Sequence, residues 1–323
     1  MSVLESLAKG ARASIEVVPP ERGGDIEEII AAVELIMPHC PAFVSVTDHP
    51  RGRAWADTPE GAERVALRTK PGTLGTAFAL RDAFKVQTVP HLVARGSDRL
   101  AMEDLLIDLH YAGFRDVFVV RGDERFSPAG STAPASLPVS ETYLHASDLV
   151  SHIASLNRGE YSPPSRGKPT AFTVGVAGYP EKHVEAPNFE ADLERLVAKV
   201  SAGAGFIVTQ MVFEAAVYAR FVAELRKRGI TVPVLPGVKP LLRLSSLANV
   251  PKTFFVNVPQ ALARALEEAK SPEEEKAAGI AYAVKLCGEL LDSGAPTLHF
   301  FTMGKGSGTR AVLDALYGPG GAR

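Results

Sequence analysis

Cysteine is almost missing from this chain. Its 323 residues contain two, Cys40 and Cys287, far apart and in no CxxC pattern. That argues against a disulfide framework or a structural zinc site and makes a reducing compartment the expectation. No group of His, Cys, Asp and Glu has metal-ligand spacing. An excess of either charge is missing too: 35 basic residues against 37 acidic ones are interspersed and leave a formal −2. The basic footprint of a nucleic-acid binder is therefore absent. No apolar run reaches membrane-spanning length, and the opening stretch MSVLESLAKGARASIEVV lacks a continuous apolar leader. The expectation is a soluble, cytoplasmic protein that engages neither nucleic acid nor membrane. There is no internal repeat and no linker. With 46% hydrophobic and 22% charged residues the chain can bury a large core, and one domain over residues 1–323 is expected.

What the sequence does contain is alternation. Short β-rich runs at 13–18, 42–47, 86–94, 116–120, 171–177, 206–213, 231–235 and 297–302 are separated by helical patterns. The helices have readable ends. Asp25 is placed to cap 26–37, Asp98 a helix running to Tyr111 with Gly113 at its stop, and Asn188 a helix over 189–201. Further helices are expected over 215–227 and 272–291. Eight strands alternating with helices over about 300 residues predict an α/β fold, a (β/α)₈ TIM barrel. Residues 253–258, TFFVNV, form a ninth strand-like run that periodicity leaves undecided between barrel and excursion. A long loop rich in Ser, Pro, Ala and Gly is expected at about 124–145 after strand four, and a second loop at 157–169.

In such a barrel the site is built from the C-terminal strand ends. The sharpest stop is DVFVVRGDE, where a buried strand surfaces at Arg121-Gly122-Asp123. Other strand ends offer Glu16, Thr47-Asp48-His49, His91, Tyr179 to His183, Gln210, Lys239, and Gly304 to Gly308. Alternation places Glu16 on one face with Ser14, and Ile15 and Val17 on the other. If the latter pack on helices, Glu16 points inward, where desolvation favours its neutral form and suits it to proton donation. The plainer alternative is a structural ion pair with Arg121 or Lys239. Gln210, in an apolar strand, must satisfy both amide ends, with a heterocycle edge or with backbone. His91 is a base or a core histidine. Asp192 and Lys199 share a helix face and could reach a phosphate or a ribityl chain, or simply solvent. The glycine-rich 304–308 stretch lacks the order of a phosphate loop.

The segments SIEVVPP, FVSVT, PHLVA, DVFVVRGD, AGYPEKH, KVSAGAGFIVTQMVF, LPGVKP and LHFFTM stand in the order and spacing of the methylenetetrahydrofolate reductase family. The resemblance covers about residues 13–316. It implies a flavoprotein oxidoreductase of one-carbon metabolism and methionine biosynthesis that reduces 5,10-methylenetetrahydrofolate to 5-methyltetrahydrofolate. It also implies FAD (or FMN), NADH or NADPH as donor, and a homo-oligomer. By the same resemblance Glu16 is the substrate-side acid, and Asp123 the carboxylate beside the flavin ring. Thr47, His91, Arg121, Gly122, Asp192 and Lys199 match flavin contacts, and Ala204 lies on a supporting segment. His145, Ser147 and Asp148 match the stretch after the strand-four loop. Gln210 matches the pterin-binding glutamine, and Lys305 stands near the expected folate tail. The strand-seven loop departs from the pattern, with Ser246 and Val250 where a glutamine and an aromatic are common. Electrons from a partner protein are therefore a second reading, and a flavin-free lyase using Lys239 as a Schiff-base amine is a third.

Overall fold

Each β-rich run sorts its side chains onto two faces, and the sorting builds the core. On the first strand Ala13, Ile15 and Val17 join the cluster packed under the helices, which leaves Ser14 and Glu16 on the opposite face. The fourth does the same with Val117 and Val119 outward and Phe118 inward. In the computed structural model, which describes residues 2–49, 52–58, 61–67, 70–95, 97–122, 142–163 and 165–320, eight parallel strands close into a barrel. They are β1 (Ala13–Val17), β2 (Val44–Val46), β3 (Thr88–Val93), β4 (Asp116–Val120), β5 (Thr173–Gly178), β6 (Ala204–Met211), β7 (Val234–Val238) and β8 (Leu298–Phe301). Their order is β1-β8-β7-β6-β5-β4-β3-β2, closed on itself. The fold is the expected (β/α)₈ barrel.

Helices cover the outer face. Asp98 accepts from the Ala101 N–H at 2.7 Å to start the helix Arg99–Tyr111, and Asn188 does so for Ala191 at 2.8 Å to start Phe189–Ser201. Gly113, at φ +84°, takes the left-handed turn that stops the first of these. Among the described residues, no helix is long and apolar enough to cross a membrane.

The inward faces grade from apolar to polar. Phe43, Val89, Phe118, Phe206 and Leu235 form a floor, with Val3 of the N-terminal helix Val3–Ala8 closing it from below. Asp116 ties that helix to the barrel by accepting from the Val3 N–H at 3.1 Å and from Gln87 Nε2 at 2.6 Å. Burial pushes the Asp116 carboxyl up to about 6. A carboxyl with a raised folded pKa binds its proton more tightly in the native state, so it disfavours folding progressively as pH rises from about 4 to about 6. Asp116→Asn is therefore expected to remove roughly 2–3 kcal/mol of stability loss across that window. Unfolding free energies of both proteins at pH 4 and pH 7 check this; parallel pH profiles would contradict it.

Three sequence expectations are corrected. Residues 253–258 are not a strand: the helix Ser246–Phe254 ends there, Phe255 turns left-handed at φ 54°, and Val256 is buried against Met211 and Phe213 as irregular chain. Packing overrides the β preference of the run. Strand seven is shifted, because Pro236-Gly237 reads as a turn yet lies inside β7. Gly237 is there because a Cβ would stand 2.5 Å from the Phe301 ring and 2.4 Å from the Thr209 carbonyl. The 157–169 loop carries a short antiparallel pair, Glu160–Tyr161 with Ser165–Arg166. A hairpin of Gly52–Thr58 with Gly61–Leu67 follows β2 and was not anticipated. Most of the 124–145 loop lies outside the described residues. Its exit is anchored by a buried chain in which Tyr143 Oη meets His152 Nδ1 at 2.5 Å and His152 Nε2 meets Glu103 at 2.7 Å. Glu103 also accepts from the Ser162 N–H at 2.9 Å, so every member of the network has a partner.

Candidate active site

Polar side chains converge above the aromatic floor. Glu16 projects inward from β1, and its Oε2 lies 3.5 Å from His91 Nε2 on β3 and 3.9 Å from His299 Nε2 on β8. Its side chain keeps 14% of its surface open to the mouth, so it is held in the barrel yet reachable from solvent. Neither cation proposed as its structural partner takes that place. Arg121 pairs with Glu185, and Lys239 has no ion pair among the described residues. Burial drives the His91 imidazole down to about 4, against the opposing pull of Glu16 and with help from His299 and His49. His91 is therefore neutral at pH 7 and offers Glu16 a hydrogen-bonding group rather than a counter-charge. Its ring packs on Phe118 with centroids 4.7 Å apart, which fixes its plane.

Gln210 is aimed by a backbone irregularity. The register between β6 and β7 shifts between Val208 and Met211, and such a bulge re-aims a side chain at the end of a strand. Gln210 Oε1 accepts from the Met211 N–H at 2.9 Å, and the amide lines a cleft of about 70 Å³ with Tyr179, His183, Phe254 and Phe255. The amide Nε2 has no hydrogen-bond partner among the described residues, so its two donors are available to a ligand. Glu181 ties the two walls of this cleft together, accepting from Asn257 Nδ2 at 2.7 Å and from the Asn257 N–H at 3.0 Å.

On the opposite side, strand ends β2 to β5 gather a polar and cationic rim. Thr47 Oγ1 is buried and has no hydrogen-bond partner among the described residues, a cost that a bound ligand would remove. Gly122 stands at φ +87°, and a Cβ there would lie 2.7 Å from Val93 Cγ1, so the backbone approaches β3 as only glycine allows. Lys199 reaches from its helix to donate to the Ala177 carbonyl at 2.5 Å. Burial pulls its ammonium down to about 8, with Asp192 opposing. Asp192 in turn accepts from the His183 N–H at 2.9 Å and so fixes the loop after β5.

The remaining sequence candidates fall elsewhere. His145 is the exposed N-cap of the helix Ala146–Asn157, and Ser147 lies half-buried in its first turn. The Asp148 carboxylate is spent on that helix, accepting from the His145 N–H at 2.8 Å and the Leu144 N–H at 3.1 Å. Ala204 begins β6 at the opposite end from Gln210, about 20 Å away along the strand. Lys305 is exposed in the loop after β8. Asp123 lies outside the described residues. Val250 is buried among Met211, Phe213 and Leu241, and the aromatic wall is supplied one turn later by Phe254 and Phe255. The strand-five candidates Tyr179 and His183 do line the cleft, their rings meeting edge to face at 4.5 Å, while His299 is the site residue not singled out from sequence.

Residues 3–317 match the sequence model of the family described as methylenetetrahydrofolate reductase. Similar proteins include a probable methylenetetrahydrofolate reductase (NADPH) of Caenorhabditis elegans, 28% identical over 94% of this chain and 42% of the relative. Another is methylenetetrahydrofolate reductase (NADH) 1 of Arabidopsis thaliana, 28% identical over 94% of this chain and 48% of that protein. The 5,10-methylenetetrahydrofolate reductase of Pectobacterium carotovorum subsp. carotovorum is 26% identical, with 94% and 89% covered. The chain thus spans less than half the length of the worm and plant relatives and most of the bacterial one. Among solved structures, an uncharacterized protein from Clostridium thermocellum, described as binding two copies of 5-methyl-5,6,7,8-tetrahydrofolic acid, superposes with a TM-score of 0.60. It covers 98% of this chain and 99% of its own at 12% identity, a likeness of fold. With the family match running almost end to end, the chain belongs to the methylenetetrahydrofolate reductase family.

Proposed function

We propose that this chain is a flavin-dependent reductase that converts 5,10-methylenetetrahydrofolate into 5-methyltetrahydrofolate, with FAD bound and NADH or NADPH as electron donor. The observation that carries the reading is the Glu16 carboxyl. It is held inside the barrel beside two buried imidazoles, open to the mouth, with the Gln210 amide on β6 of the same rim, its Nε2 without a partner among the described residues. A carboxylic acid so placed can protonate the substrate amine and open the five-membered ring. The Gln210 amide can donate to a carbonyl or ring nitrogen on the pterin edge and accept through its remaining lone pair.

The rim residues fit a flavin. Thr47 offers a buried hydroxyl without a partner among the described residues, Gly122 a backbone edge without a side chain, and Arg121 and Lys199 positive charge for a phosphate. Once bound, the flavin supplies the hydride, and the protein supplies position and electrostatics. Because burial holds Lys199 at about 8, its charge, and with it flavin affinity, is expected to fall as pH rises through that value. Titrating flavin at pH 7 and pH 9 checks this, and Lys199→Gln should flatten the difference; a wild-type affinity independent of pH would contradict it.

The function is tested by supplying 5,10-methylenetetrahydrofolate with NADH and, separately, NADPH and measuring 5-methyltetrahydrofolate formed. Product with either donor supports the reading. Product formed with a chemically reduced flavin but with neither nicotinamide would shift the donor to a protein partner. A buried Val250 where an aromatic is common motivates keeping that outcome distinct. No product under any donor would overturn the proposal.

A further inference from the structure

Lys239 has no role in the reading above, although the fold aims it at the mouth. Along β7, Val234 and Val238 pack under the helices, while Leu235 belongs to the barrel floor. Alternation therefore puts Gly237 and Lys239 on the inward face, with Lys239 the first residue beyond the strand end. Val238 is in register with Phe300, and Phe301 with Glu16, so Lys239 stands level with Phe301 at the height of the site. It is two strands from Glu16, about 10 Å at the backbone. On its other side the neighbouring strand β6 carries Gln210.

Other cations around the mouth are matched. Arg121 pairs with Glu185, and Arg243 stands 3.9 Å from Glu275. Lys182 donates to the His183 and Ala186 carbonyls, and Lys199 to that of Ala177. Half-buried Lys239 has neither an ion pair nor a hydrogen bond among the described residues. Burial alone draws its ammonium down to about 8, with no neighbouring charge contributing, so it is still mostly charged at pH 7. A cation so placed has lost hydration without gaining a partner, and an incoming anion makes good that loss. Gln210 Nε2 also lacks a partner among the described residues, so β6 and β7 bring two donors side by side. The cations given to the flavin phosphate, Arg121 and Lys199, stand beyond β4 and on the helix after β5. Lys239 is thus left to the exchangeable ligand. We propose that Lys239 is an anion subsite of the mouth. Its ammonium pairs with a carboxylate or phosphate of the ligand that enters over Gln210, and so selects ligands that carry one. Two sources supply that chemistry: the glutamate carboxylates of a folate and the phosphates of a nicotinamide dinucleotide. The inference rests on ligand entry over Gln210, as in the function proposed above.

The test is calorimetric titration of the full chain, with flavin in its oxidised form, using ligands that do not react with it. They are folic acid and its uncharged counterpart without the glutamate, pteroamide, and NAD⁺ and its phosphate-free fragment, nicotinamide riboside. Lys239→Met is expected to weaken folic acid or NAD⁺ roughly tenfold or more, the scale of one charge-assisted hydrogen bond. The counterpart of that ligand should bind both proteins equally, and the ligand that loses affinity identifies the source of the anion. Lys239→Arg, which keeps the charge, should lose far less. Equal losses for a ligand and its counterpart, or none for either pair, would overturn the proposal. A second measurement needs no variant. Folic acid or NAD⁺ should protect Lys239 of the wild type from an amine-acylating reagent, read by mass spectrometry, and the counterpart at equal occupancy should not; equal protection would contradict the subsite. Binding is read without turnover, so a chain that shows this pattern but forms no 5-methyltetrahydrofolate keeps the subsite and loses the reaction. A wild type that binds none of the four ligands would overturn the subsite itself.

Discussion

Glu16→Gln is expected to leave flavin binding and flavin reduction intact while lowering reduction of the methylene substrate by roughly 10²-fold or more, the scale of a missing general acid. Glutamine keeps the shape of the side chain and its place between His91 and His299, which flank the carboxyl at 3.5 and 3.9 Å. What it loses is the transferable proton. The flavin-facing candidates, Thr47, Gly122 and Lys199, stand just past β2, just past β4 and on the helix after β5, so the donor side should not feel the change. Rapid-mixing measurements of the two half-reactions separate these effects. Near-normal folate reduction by the variant would remove Glu16 from the mechanism.

The second large effect is on stability. Phe206 is fully buried at the centre of the barrel floor, with Phe43 at 6.0 Å and Phe118 at 6.2 Å between ring centroids. The facing position is Gly175, where even a Cβ would stand 2.3 Å from the Phe206 ring, so the two residues are matched as large and small. Phe206→Ala removes a ring whose space closed strands cannot collapse to fill, and a cost of about 3–5 kcal/mol is expected. Denaturant unfolding should show a lower midpoint at unchanged slope. A change below about 1 kcal/mol would mean that the floor repacks. Because Phe43 also stacks on His299, the floor links the fold to the site above it.

How far these features were legible depends on whether they are local. The barrel strands were readable because β-branched runs alternate with capped helices, and the cap residues Asp98 and Asn188 make the predicted bonds. The inward direction of Glu16 followed from alternation with Ile15 and Val17, which do pack under the helices. The failures share a cause. TFFVNV carries strand propensity but is closed by a left-handed Phe255 and by packing on Met211, neither visible locally. Pro236-Gly237 signalled a turn, although the glycine answers the approach of Phe301 from the neighbouring strand. His299 was hidden in LHFF because its meaning lies in register with Ser14, which is 285 residues away in sequence. Asp148 and Ala204 carried a family match, yet one caps its own helix and the other starts β6 at the far end of the barrel. Sequence order shows which residues are present, but closure of the barrel decides which of them meet.

The most direct test of the central claim is anaerobic mixing of the purified, flavin-loaded protein with 5-methyltetrahydrofolate, following the absorbance of the oxidised flavin. The account predicts bleaching, because the folate half-reaction run in reverse needs only the Glu16 side of the site and the bound flavin. An oxidised spectrum unchanged by the folate, in a protein shown to hold flavin, would contradict it.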